Sequence, residues 1–140
     1  MAGGKGNTLR NAILDHVLGG PDYTRLGTVY IALYTAAPTS AGGGTEVTTS
    51  GGTNYTRYSV TNNTGSWSAT SSGVKSNLNL LDFGTAGANW GTIVAGSINQ
   101  GSTSGGGDYI LYFGPLTTSK TINTNDGFRI PIGGLVLTES

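Results

Sequence analysis

Apolar positions along this chain recur first at helical spacing and then, for the rest of its length, in short alternating runs. Leu9, Ala12, Ile13 and Val17 recur at helical spacing, with Leu18 beside them, which predicts a helix over residues 8–18. Thr8 or Asn7 is placed to cap it, since a side-chain oxygen there accepts an unpaired amide of the first turn. Gly19 and Gly20 supply a left-handed stop, and Pro21 prevents continuation. Residues 1–7, MAGGKGN, are expected to be a flexible N-terminal arm that either frays or orders against a neighbour. A helix this short is marginal alone, so its apolar stripe must dock on a sheet or on another subunit.

The strongest run is TVYIALYT, residues 28–35. Val29, Ile31 and Leu33 form one face and Tyr30, Ala32 and Tyr34 the other, which predicts a central strand covered on both sides. Pro38 ends it and Gly42, Gly43 and Gly44 turn the chain. Residues 54–61 alternate Tyr55, Arg57 and Ser59 against Thr56, Tyr58 and Val60, as a half-buried strand does. Trp67 and Ala69 suggest a short strand. Val74, Leu78 and Leu80 set a face that Leu81 and Phe83 continue out of phase, so a bulge is expected near Leu80. Residues 90–98 and 109–113 read as strands, the second broken by Gly114-Pro115. Short strands follow at Thr121-Ile122, 128–132 and 135–137, with a turn at Asp126-Gly127 and an edge or bend at Pro131. Short strands at roughly ten-residue spacing behind one helix predict an all-β chain. The expected architecture is a β-sandwich of jelly-roll or Greek-key type with one short N-terminal α-helix, a single domain over residues 8–140; a β-barrel is the alternative.

Composition narrows the partners. The 140 residues carry seven basic and seven acidic side chains, and only 10% are charged. A basic stripe for nucleic acid is missing, so no nucleic-acid partner is expected. No segment reaches the ~18 apolar residues of a membrane span, and MAGGKGNTLRNAIL has no continuous apolar core of a secretory signal. With no cysteine there is no disulfide or thiolate metal site to propose. Low charge combined with seven tyrosines suits a surface buried against other proteins.

Catalytic constellations are weak. His16, the single histidine, would have to serve any Ser-His-Asp arrangement, and no Gly-x-Ser-x-Gly offers a nucleophile; a structural or interface role is expected. One histidine without cysteine leaves no zinc set. Asp15, Asp22, Glu46, Asp82, Asp108, Asp126 and Glu139 mostly stand beside glycine or at element ends, where turn and cap roles are expected over paired-acid hydrolysis or calcium binding. The triplets Gly42–Gly44 and Gly105–Gly107 lack the Lys-Ser/Thr and helix of a phosphate loop and read as strand connections. Two glycosylation triplets, at Asn54 and Asn62, are discounted for want of a secretion route. The tyrosines with Trp67 and Trp90 either line a carbohydrate face or fill the core, and the core reading is favoured. Neither an enzymatic activity nor a cofactor is expected.

Several stretches in order carry a family resemblance: LDHVLGG at the helix end, VYIALYTAAPTSAGGGTEV, Gly-Gly-x-Asn-Tyr-x-Arg, Ala-Asn-Trp-Gly-Thr-Ile and LYFGPLTTSKTINTNDGFRIPIGGLVLT. Together they resemble a family of small tailed-bacteriophage virion proteins, commonly labelled tail fibre or minor structural proteins. The resemblance spans about Leu9 to Thr138 and implies a structural component of the particle. With neither heptads nor a repetitive stalk, the compact chain is expected to be a capsid decoration (cement) protein on the outer shell, a tail fibre or receptor-binding adhesin being the alternative. Its expected partners are the major capsid protein or other virion proteins, and sister copies in a trimer or dimer. Lys5, Asn7, Arg10, His16, Tyr23 and Arg25, on the arm, helix and following segment, are the candidate interface residues.

Overall fold

A computed structural model describes residues 3–105 and 108–139. In chain order its elements are β1 (Gly4–Lys5), α1 (Asn7–Val17), β2 (Thr28–Ala36), β3 (Thr45–Glu46), β4 (Tyr58–Thr61), β5 (Val74–Ser76), β6 (Leu81–Thr85), β7 (Gly91–Asn99), β8 (Ile110–Ile122), β9 (Gly127–Ile130) and β10 (Val136–Thr138). All strand pairs are antiparallel. A six-stranded sheet runs β1-β8-β7-β2-β3, with β4 also paired to β2, and two two-stranded ribbons, β10-β5 and β6-β9, complete an all-β sandwich.

The inner layer follows from the alternation in β2. Val29 and Ile31 pack with Ile98, Leu111, Leu81 and Trp67, and Leu33 packs with Ile93, Ile122, Trp90 and Phe128. Phe83 joins the two clusters, its ring 5.6 Å from that of Phe128 and 5.6 Å from that of Tyr58. The other face of β2 is buried as well: Ala32 and Tyr34 pack with Ala95, and the Ser97 hydroxyl donates to the Tyr34 hydroxyl at 3.2 Å. Burial on both sides makes β2 the centre of the sheet, as its two apolar faces require.

The N-terminal arm is laid along its own chain from Gly4, whose partner is Phe113, while Lys5 pairs with Tyr112. Met1 and Ala2, part of the expected arm, and Gly106 and Gly107, part of an expected loop, lie outside the described residues. The helix starts at Asn7, with Gly6 as its cap and no side-chain capping bond, in place of Thr8 or Asn7. Gly6 is held there by its amide, which donates to Leu111 O at 2.9 Å, and a Cβ at this position would collide with the Ile110 carbonyl. Strand pairing therefore delivers the chain straight into the helix.

Four other expectations change. Gly114-Pro115 does not break β8, which runs on to Ile122 and absorbs the expected Thr121-Ile122 strand. Ala95 faces Pro115 while Ile93 faces Lys120, so residues 116–119 bulge opposite Val94. Since β1 covers only Tyr112 and Phe113, Pro115 lies beyond it on the sheet edge, where a missing amide is tolerated. The phase change near Leu80 is a break between β5 and β6 instead of a bulge, and Leu78 and Leu80 are exposed. Buried Asn77 makes that break: its side-chain amide donates to Asn79 O and Pro131 O and its carbonyl accepts the Leu135 amide. The expected strand at Trp67 is a single bridge to Asn77. Finally, of residues 54–61 only Tyr58–Thr61 pairs in the ladder, while Tyr55 and Arg57 turn inward ahead of it.

Candidate functional site

Tyr55 and Arg57 point into the structure because the extended run before β4 keeps a two-residue alternation, with Thr56 exposed between them. A lone guanidinium buried this way would be prohibitively costly, so it must meet carboxylates. Glu46, on the two-residue strand β3, and Asp108, just before β8, supply them. Arg57 Nε and Nη2 donate to the two Glu46 oxygens at 2.8 Å each, a fork-to-fork pair. Its Nη1 donates to Asp108 Oδ2 at 2.9 Å and to Gly101 O at 2.8 Å. Asp108 Oδ1 in turn accepts the Gly101 amide at 2.9 Å. The Arg57 side chain is 3% exposed, against 15% for Glu46 and 10% for Asp108.

Burial by itself would lower the Arg57 pKa, but its hydrogen bonds and charge contacts with Glu46 and Asp108 outweigh this and raise it, so the cation is permanent. Tyr55 closes the cluster: its hydroxyl donates to Glu46 Oε1 at 3.0 Å and accepts the Leu33 amide at 3.0 Å. Burial, first of all, pushes its phenol well above the ordinary tyrosine value, so it stays protonated. With four of its five N–H donors engaged by protein oxygens, Arg57 has little left to offer a ligand. The arrangement is a clamp that ties β3, the β4 approach and the β7–β8 connection to one side chain. A polar groove of about 610 Å³ lies over it, bordered by Asn7, Thr8, Tyr34, Ser40 and the Gly42–Gly44 turn.

A second concavity, of about 400 Å³, opens between α1 and the β5–β10 ribbon and has an apolar floor. Three of the six sequence-derived interface residues line these two places, and the six do not form one cluster. Tyr23 and Arg25 line the apolar cavity and Asn7 borders the polar groove. Lys5 pairs with Glu139, and Arg10 Nη1 donates to Asn7 Oδ1 at 3.3 Å. His16 Nδ1 accepts the Tyr23 amide at 3.2 Å and lies 3.5 Å from Asp22 Oδ1, beside the end of α1. Every tyrosine and tryptophan is buried or half-buried, so none stands out as an exposed carbohydrate platform, in keeping with the core reading. Spacing does not mark the Arg57 cluster; the one signal in the sequence is an arginine in phase with Tyr55 in an alternating run.

A sandwich whose buried charges are engaged in holding its own loops together defines a structural β-module. The chain belongs to the family described as Podophage GP4 fiber I protein gp80, whose model matches residues 4–138. It is thus a bacteriophage structural protein, as the resemblance implied. No curated protein matches the chain.

Proposed function

We propose that this chain is a non-enzymatic subunit of a phage tail fibre, acting by contact with other virion proteins and with sister copies. The observation that carries the reading is the family match over residues 4–138, under a description that names a fibre protein. It favours the tail over the capsid-surface decoration that compactness suggested. The Arg57 clamp supports a load-bearing role, because one bidentate pair and two further bonds hold together segments far apart in the chain.

Immunogold labelling of intact particles tests this reading: label on the tail is the expected result, and label confined to the head shell overturns it. Light scattering of the purified chain tests self-association, with a trimer or dimer expected and a monomer at all concentrations counting against sister contacts.

A further inference from the structure

The cavity between α1 and the β5–β10 ribbon combines two unlike surfaces. Its floor is made by Leu9, Val29, Trp67, Ile98 and Leu111, all core side chains. Its rim carries Arg25 and Lys75, and among the described residues neither has a carboxylate partner. Lys75 Nζ reaches only the Thr70 hydroxyl, at 3.4 Å. Glu139, the one rim carboxylate among the described residues, is already taken by Lys5. The rim therefore carries surplus positive charge over an apolar bed.

Two phenols add neutral donors. Tyr23 and Tyr112 line the same cavity, and burial raises both pKa values, with Glu139 adding to the effect at Tyr112. A volume of about 400 Å³ is within the usual small-ligand range of roughly 300–1,000 Å³. A polyhydroxylated ligand would bury hydroxyls without partners against the floor. A cationic one would meet Arg25 and Lys75. An alkyl chain ending in an anion satisfies both surfaces.

We propose that this cavity binds a single-chain anionic amphiphile, with its alkyl chain on Leu9, Val29, Trp67 and Leu111 and its carboxylate or phosphate head at Arg25 and Lys75. The site stands independently of the assignment to a tail fibre.

Calorimetric titration of the full chain with laurate, kept below its micelle concentration, tests it, with tryptophan fluorescence followed in parallel because Trp67 lines the floor. Saturable one-to-one binding with a fluorescence change is expected, and dodecyltrimethylammonium should not compete. Arg25→Ala with Lys75→Ala should weaken laurate binding at least about tenfold, since each charged head-group bond contributes appreciably. Both side chains lie at the rim, and an unchanged circular dichroism spectrum would show that the variant is folded. Absence of saturable binding, equal binding of the cationic amphiphile, or unchanged affinity in the double variant overturns the proposal. Sedimentation with phosphatidylglycerol vesicles that laurate does not compete away would assign the face to a membrane surface instead. An oligomer that binds no laurate would assign it to a sister copy.

Discussion

The hydroxyl of Tyr55 accepts the amide of Leu33 at 3.0 Å, a side chain standing where a strand would otherwise stand. On this edge β2 changes partners: it pairs with β4 from Thr28 to Ile31 and with β3 from Tyr34 to Ala36. Leu33 O is met by the Val47 amide at 3.0 Å, but its amide has only the phenol. Tyr55 thus closes the seam between two partner strands and passes the bond on to Glu46 and the Arg57 clamp.

Tyr55→Phe keeps the ring, its edge-on contact with Trp90 and its burial, and removes only the hydroxyl. It leaves the Leu33 amide buried without a partner, so a loss of about 1–3 kcal/mol is expected. Urea unfolding followed by circular dichroism measures it, and the denaturant slope should be unchanged.

Alkaline pH should destabilise the protein through the same phenol. Its folded pKa lies above the unfolded value of 10.0, so its contribution is fully present below pH 10 and is lost as pH rises beyond it. One such group changes stability by about 1.4 kcal/mol per pH unit in that window. Tyr55→Phe should therefore fall less steeply than the parent in unfolding curves measured from pH 9 to 11. Parallel curves would show that the phenol does not contribute.

Arg57→Ala strands two carboxylates that are 15% and 10% exposed, and should cost roughly 3–5 kcal/mol. Removing the charges together, as Arg57→Met with Glu46→Gln and Asp108→Asn, should recover much of that loss, because desolvated ions no longer need compensation. Thermal melts of the two variants decide between an electrostatic clamp and simple packing.

Asn77→Ala should be among the more damaging single changes outside the clamp. It removes three hydrogen bonds, one within the β5–β6 break and two that join this break to the segment between β9 and β10, and leaves buried groups unpaired at about 1–3 kcal/mol each. Hydrogen exchange should show faster exchange at the Leu135 amide, which donates to the Asn77 side chain.

What the sequence determined by itself was local. The strand-like runs at residues 28–35, 90–98 and 109–113 became β2, β7 and the start of β8, and the helical spacing before Gly19 became α1, because such patterns are properties of neighbouring residues. Asp126 likewise turns the chain before Gly127 as its type predicts, accepting the Asn123 amide at 2.9 Å. Tertiary structure decided what depended on distant partners. Pro115 stays in a strand because β1 leaves that part of the β8 edge uncovered, and Asn77 splits a run because Pro131 and Leu135 are there to bind it. Arg57 meets carboxylates 11 and 51 positions away, at separations that follow no backbone period. The apolar cavity draws Leu9, Val29, Trp67 and Leu111 from across the chain. Burial of a charge or the shape of a cavity is a property of the assembled layers, and so it becomes visible only once they have packed.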